Sequence, residues 1–189
     1  MSPVLDSDGD AVTPENEYYI SNAGAGFHGG IGLPKWSRLR CPSSVIQMRS
    51  ETQLGLPVNV EPVYRYSTSP QIYVNQTTVQ ISFSEPVTGC LGGEGYWRVE
   101  YDEEAEKTLV VAGILIGVQL SSQFRIVQAG QANNVYTFVS CSRLKCRDEI
   151  GLYAMDHQQH LSVNDQPNEL PYTFKFIKKK AENGIQLPK

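Results

Sequence analysis

Short runs rich in β-branched and aromatic residues recur along almost the whole chain, and no segment reads convincingly as a helix. They include Tyr18-Tyr19-Ile20, Val45-Ile46-Gln47-Met48, Thr78-Val79-Gln80-Ile81-Ser82-Phe83, Tyr96-Trp97-Arg98-Val99 and Phe124-Arg125-Ile126-Val127. Later come Val135-Tyr136-Thr137-Phe138-Val139, Ile150-Gly151-Leu152-Tyr153, His160-Leu161-Ser162-Val163 and Tyr172-Thr173-Phe174-Lys175-Phe176-Ile177. Several alternate apolar and polar side chains, as strands with one buried face do, and Gly, Pro and Asn clusters separate them. Many short strands at regular spacing imply an all-β barrel or sandwich. The runs Val79-Gln80-Ile81-Ser82-Phe83, Thr137-Phe138-Val139-Ser140-Cys141 and Thr173-Phe174-Lys175-Phe176 look like equivalent strands spaced near a third of the chain, which suggests threefold repetition. The 189 residues suit one domain, 1–189, with a polar C-terminal tail from about 178 to 189.

Charge narrows the classes of partner. The net charge is −4, so there is no global basic field, and neither nucleic acid nor an anionic membrane is an expected partner. The longest apolar run, from Leu109 to Leu120, is interrupted by Gly113, Gly117 and Gln119 and is too short to span a bilayer as a helix. The first residues, Met-Ser-Pro-Val-Leu-Asp, carry no basic segment followed by an apolar stretch, so no signal peptide is expected within the sequence. That does not argue for the cytosol, because Met1 is compatible with a start codon placed on a mature chain.

Motifs for catalysis or cofactors fail on their surroundings. Gly24-Ala25-Gly26-Phe27-His28-Gly29 spells a dinucleotide-binding pattern, but Gly30, Gly32 and Pro34 follow where a phosphate-binding helix must begin. Asp6, Asp8 and Asp10 with Glu17 imitate a calcium loop, yet the glycine is misplaced, Pro14 intrudes and no helices flank it. His157 and His160 are three apart, which on strands points them to opposite faces, and His28 stands alone. The acidic run Asp102-Glu103-Glu104 with Glu106 reads as a solvated loop. No nucleophile elbow or metalloprotease motif occurs, so no enzyme activity, cofactor or metal is expected.

The cysteines speak to compartment. Cys41, Cys90, Cys141 and Cys146 are even in number and compatible with two disulfides, and three pairings stay open. A zinc site is the weaker reading, because the wide-set pair lacks a partner at ligand spacing and no histidine lies near the close pair. Asn75-Gln76-Thr77 is an acceptor sequon for an N-linked glycan, consistent with surface placement in a secreted protein.

Taken in order, several segments resemble the plant Kunitz-type (soybean trypsin inhibitor) family. Val4-Leu5-Asp6-Ser7-Asp8-Gly9-Asp10-Ala11-Val12, then Tyr18-Tyr19-Ile20, is similar to the family's N-terminal signature. The likeness continues through Gly26-Phe27-His28-Gly29-Gly30-Ile31, Cys41-Pro42, Gly55-Leu56-Pro57-Val58, Trp97-Arg98-Val99 and Phe124-Arg125-Ile126. It ends with Cys146 followed by Asp148-Glu149-Ile150-Gly151, then Leu161 before the last aromatic strand. The resemblance implies a β-trefoil of twelve strands with pseudo-threefold symmetry, six closing a barrel and six capping it in hairpins. It also implies the pairings Cys41 to Cys90 and Cys141 to Cys146, and a monomer that is secreted or vacuolar. The activity it implies is inhibition of a trypsin-like serine protease. Other members are storage, defence or lectin-like proteins, so a non-inhibitory or carbohydrate-binding trefoil is the alternative, since fold does not settle function.

An inhibitor of this kind offers an extended loop already shaped like bound substrate, and a trypsin-like pocket with an aspartate at its base calls for Arg or Lys. The family's main loop corresponds here to residues 60–70, where Arg65 is the only basic residue. Arg65 is therefore the leading reactive residue, within Val63, Tyr64, Arg65, Tyr66 and Ser67. The stretch is several residues longer than in the soybean-type inhibitors, which leaves Tyr64 and Ser67 as alternative positions for the scissile bond. Pro14 stands where the family has a loop-bracing asparagine, and Asn16 is the candidate substitute. A second candidate loop, Arg143, Leu144 and Lys145 between Cys141 and Cys146, resembles the late disulfide region of the double-headed arrowhead inhibitors and would engage a second protease molecule.

Overall fold

The computed structural model describes residues 1–26, 28–35, 41–64, 70–115, 120–142 and 145–181. Among them are thirteen strands and two short 3-10 turns, Leu91–Gly93 and Leu120–Ser122. The strands are β1 (Tyr18–Asn22), β2 (Ile31–Gly32), β3 (Ser43–Ser44), β4 (Ile46–Gln47), β5 (Val58–Pro62), β6 (Thr78–Phe83) and β7 (Tyr96–Asp102). They continue as β8 (Lys107–Gly113), β9 (Gln123–Gln128), β10 (Tyr136–Ser142), β11 (Lys145–Met155), β12 (Gln158–Val163) and β13 (Phe174–Lys178).

Six of them close a ring. β1 pairs with β5, β5 with β6, β6 with β9, β9 with β10, β10 with β13, and β13 returns to β1, every pair antiparallel. The remaining strands form hairpins, β2 with β4, β7 with β8 and β11 with β12, which are stitched to one another by β3–β8, β8–β12 and β12–β4. Successive groups of four thus run barrel, hairpin, hairpin, barrel, the β-trefoil plan. The count is thirteen instead of the expected twelve because one strand is split at Val45. Its N–H donates to Val110 O (2.9 Å) and its carbonyl accepts from Leu161 N (2.9 Å), so the strand passes from β8 to β12 at that residue. Counting β3 and β4 together restores twelve.

The threefold echo in the sequence needs one correction. β6 and β10 are equivalent, each opening a group of four, but β13 closes the third group; the true counterpart of β6 and β10 in the first group is β1. The confusion is physical, since opening and closing strands both line the barrel and share its alternating burial. β2, β3, β5 and β8 lie outside the runs that the sequence pattern marks. β8 is buried almost throughout, so it lacks the alternation that marks a half-buried strand.

Inward residues of the barrel strands build one aromatic-rich core. β6 alternates strictly, burying Val79, Ile81 and Phe83, and the same period buries Tyr18 and Ile20, Val58 and Val60, Phe124 and Ile126, and Phe174 and Phe176. Phe138 and Phe174 stack at 4.2 Å between centroids. Trp97, from β7, reaches Phe83 (5.5 Å), Phe138 (5.9 Å) and Phe124 (6.5 Å). Both expected disulfides are present: Cys41–Cys90 joins the segment before β3 to the turn after β6, and Cys141–Cys146 crosses the start of the β10–β11 hairpin.

The glycine-rich stretch is a packing feature. A Cβ at Gly29 would fall 2.3 Å from Ser50 O, and one at Gly30 2.0 Å from Leu54 O, so only glycine permits this close approach of backbones. Of the paired histidines, His160 is buried with Nδ1 2.7 Å from Ser44 Oγ, whereas His157 is exposed. β13 runs through Lys178, and Lys179 still bonds through its N–H to Glu17 O before the polar C-terminal stretch.

One buried cation fixes the connection between β12 and β13. The Lys107 ammonium, 5% exposed, donates to Asp165 Oδ1 (2.7 Å) and Glu169 Oε1 (2.9 Å) and lies 5.5 Å from the Tyr153 ring centroid. Burial disfavours its charge, but the two carboxylates more than offset that and its pKa is raised. Glu169, bonded by Lys107 and by the backbone N–H groups of Gln166 and Asp165, is pulled down to about 2. A carboxyl depressed in the folded state contributes stability that is present above its ordinary range and lost as pH falls through the folded value. Chemical denaturation at a series of pH values from about 5 to about 2 is therefore expected to show a loss of stability in the wild type that is smaller in Glu169→Gln.

Candidate reactive loop

The segment between β5 and β6 leaves the barrel and returns to it at one point. Register runs from Val58↔Phe83 to Pro62↔Val79, and one further bond, Val63 N–H to Thr78 O at 2.9 Å, extends the ladder to the foot of the loop. Val63 is half-buried there, and the next side chain, Tyr64, is 52% exposed. Arg65, Tyr66 and Ser67 lie outside the described residues.

The returning limb is strapped to the N-terminus. Val4 N–H donates to Ile72 O (2.8 Å) and Val74 N–H to Ser2 O (3.0 Å), an antiparallel bridge centred on Pro3 and Tyr73. Proline is tolerated at position 3 because the strap uses the carbonyl before it and the N–H after it. Val4 and Ile72 are fully buried, so side-chain packing supports the backbone pair.

The N-terminal segment is itself held to the barrel. Leu5 N–H donates to Tyr136 Oη (2.9 Å), Ser7 N–H to Phe176 O (2.8 Å), and Asn134 Nδ2 to Asp6 O (3.1 Å). Burial, with Asp6 nearby, raises the Tyr136 phenol above its ordinary range, so it stays a neutral hydroxyl. Asp6, 1% exposed, accepts from the N–H groups of Asp8 (2.9 Å) and Asp10 (3.0 Å) through Oδ1. The acidic motif that imitates a calcium loop is thus a turn closed by its own first carboxylate. It folds residues 4–12 back so that Val12 N–H reaches Val4 O at 2.8 Å.

Asn16 lies at the end of the following turn. Its N–H donates to Thr13 O (3.3 Å) and its side-chain Nδ2 to Thr13 Oγ1 (3.0 Å), while Thr13 N–H donates to Tyr18 Oη (3.0 Å). One side-chain donor is therefore engaged within its own turn. The strap at residues 2–4 and 72–74 was not anticipated from the sequence. A two-residue bridge has no periodicity to betray it, and the best available signal was the isolated apolar pair Val4 and Ile72.

In the second candidate loop, β10 ends at Ser142 and β11 begins at Lys145, paired across the hairpin, with the disulfide one position further in. Lys145 and Ser142 are exposed. Arg143 and Leu144 lie outside the described residues. The two candidate loops arise from different strand pairs, β5–β6 and β10–β11.

Comparison with known proteins places this geometry among relatives. Residues 4–178 match the Kunitz legume family model, described as trypsin and protease inhibitor. The chain is 33% identical to the 21 kDa seed protein of Theobroma cacao, over 97% of this chain and 86% of that protein. It is 28% identical to trypsin inhibitor BvTI of Bauhinia variegata, over 95% and 98% respectively. Among solved structures it resembles MP-4 from Mucuna pruriens, with TM-score 0.78 and 28% identity, covering 95% of this chain and all of that one. It also resembles a chain in the complex of porcine pancreatic trypsin with soybean trypsin inhibitor, with TM-score 0.74 and 25% identity, again covering 95% of this chain and 100% of that one.

The strap makes a testable statement about the loop. A chain that begins at Pro3 keeps the Val4 peptide N–H and its buried side chain but loses the Val74–Ser2 hydrogen bond, worth about 1 kcal/mol net. Limited proteolysis followed by mass spectrometry is expected to show cleavage within residues 63–74 faster by roughly fivefold, with the cleavage pattern of the rest of the chain unchanged.

Proposed function

The chain belongs to the Kunitz legume family of trypsin and protease inhibitors, and from that premise we propose that it inhibits a trypsin-like serine protease by inserting the loop between β5 and β6 into the enzyme's cleft. The family is one of inhibitors, not of enzymes. The observation that carries the reading is the two-sided anchorage of this loop: one limb continues the β5–β6 ladder at Val63, and the other is strapped to Ser2 and Val4. A loop held at both feet loses little conformational freedom on binding and springs back toward the intact form if its peptide bond is cut. Arg65, two residues beyond the ladder's last bond at Val63, enters the primary specificity pocket, with Tyr64 and Tyr66 flanking it. Its guanidinium meets the carboxylate at the base of a trypsin-type pocket. Asn16, which has a second side-chain N–H beyond the one donated to Thr13 Oγ1, is the side chain we assign to bracing the loop.

The Cys141–Cys146 turn is the second head in this proposal, with Arg143 or Lys145 as its basic residue; a short disulfide-closed turn is restrained before it binds. The partner set is one trypsin-like protease on the main loop and a second protease molecule on this turn, the inhibitor itself being a monomer. Two disulfides favour an oxidising compartment, which supports a secreted or vacuolar location. A competing reading, a non-inhibitory storage or defence protein, is favoured by the 33% identity to a protein named only as a seed protein.

Titration of trypsin decides between them. The wild type is expected to inhibit, and Arg65→Ala to weaken the main site by about a hundredfold or more, because the truncated side chain leaves a buried carboxylate unpaired. Thermal unfolding of that variant should match the wild type. Full inhibition by Arg65→Ala moves the reactive bond elsewhere in the loop, and no inhibition by the wild type favours the storage reading. Size-exclusion of Arg65→Ala with excess trypsin counts the heads: one remaining equivalent, abolished by the further changes Arg143→Ala and Lys145→Ala, establishes the second.

A further inference from the structure

We propose that Asn75 carries an N-linked oligosaccharide, standing at the foot of the β5–β6 loop. The sequon Asn75-Gln76-Thr77 coincides with a tight turn that leaves the loop's returning limb and enters β6. Gln76 N–H (3.3 Å) and Thr77 N–H (3.1 Å) both donate to Tyr73 O, and Tyr73 N–H donates to Thr77 Oγ1 at 2.8 Å. The backbone of Asn75 is tied down as well, its N–H donating to Ile126 O on β9 at 2.9 Å.

These bonds hold Asn75 at φ 61°, in the left-handed region that asparagine tolerates better than most residues. The residue is exposed, as is Gln76, and no bond among the described residues engages its side-chain amide. The main chain is thus fixed to the barrel while the amide projects from the apex of the turn, where a large polar substituent adds no burial cost. Two disulfides point to folding in the oxidising compartment in which such glycans are transferred. In the transfer step, Asn75 Nδ2 bonds to the reducing-end carbon of a lipid-diphosphate-linked oligosaccharide. The carbon–oxygen bond to the diphosphate breaks, and the lipid diphosphate departs with the bonding electrons as the amide proton is lost.

This inference rests on secretion and not on inhibition, so its outcome is separable from that of the protease titration. The test is the full chain secreted from a yeast or plant-cell host behind the host's own leader, analysed by intact mass. The wild type is expected to exceed the mass of its sequence by an oligosaccharide. Release by peptide-N-glycosidase in heavy-oxygen water should leave labelled aspartate at position 75. Asn75→Gly, which keeps the positive φ, and Thr77→Ala should both be secreted at sequence mass, and Thr77→Ser should retain the glycan. Secreted, disulfide-bonded wild type at its sequence mass, or label at any other residue, overturns the proposal.

Discussion

Closure of the six-stranded ring is the constraint on which the rest of the molecule depends. A sheet that returns on itself leaves no unpaired edge among those strands, and it commits every inward side chain to one shared interior. Two seams of the ring rest on a single register pair, Tyr18↔Val58 between β1 and β5 and Tyr136↔Phe174 at the β10–β13 seam. Aromatic packing compensates there: Phe138 stacks on Phe174, and Tyr136 lies within 6.3 Å of Phe174 and 6.1 Å of Phe176. Side-chain contact thus secures a seam that few backbone bonds hold.

Once the ring is closed, connections between strands can only emerge at its ends, and their positions are set by strand order. The candidate reactive loop leaves between two adjacent barrel strands and so has rigid ladder beneath it. The Cys141–Cys146 turn leaves between a barrel strand and a cap strand, where the hairpin register shifts between Ser140 and Cys141. A disulfide at that point restrains a turn that the ladder alone holds less regularly.

Much of this was legible from residue order. Alternation placed β6 to the residue and most of β1 and β9, because each has one wet and one dry face, whereas β12 was found by its residue types, since His160, Leu161 and Ser162 are buried in succession. β8 was hidden because both its faces are covered, and β5 because its run is short and ends in Pro62. The split at Val45 had no local signal; it exists only because β8 and β12 come together from distant parts of the chain. For the site, the Kunitz-like pattern located the loop between β5 and β6, and both disulfides were anticipated from the same resemblance. What it did not convey was how the returning limb is held, since Ser2 and Val74 meet through main-chain atoms that any residue but a proline at 74 supplies.

That strap has a consequence for how the loop tolerates change. A brace made from a side chain is lost by a single substitution of the residue that supplies it. A brace made from peptide groups is indifferent to residue identity so long as the backbone stays extended, but it is severed when the chain is cut. Drift in sequence and trimming by peptidases therefore act on this loop with opposite weight: the first is felt mainly where it reaches the buried Val4 and Ile72, while loss of a few N-terminal residues loosens a segment some seventy positions away.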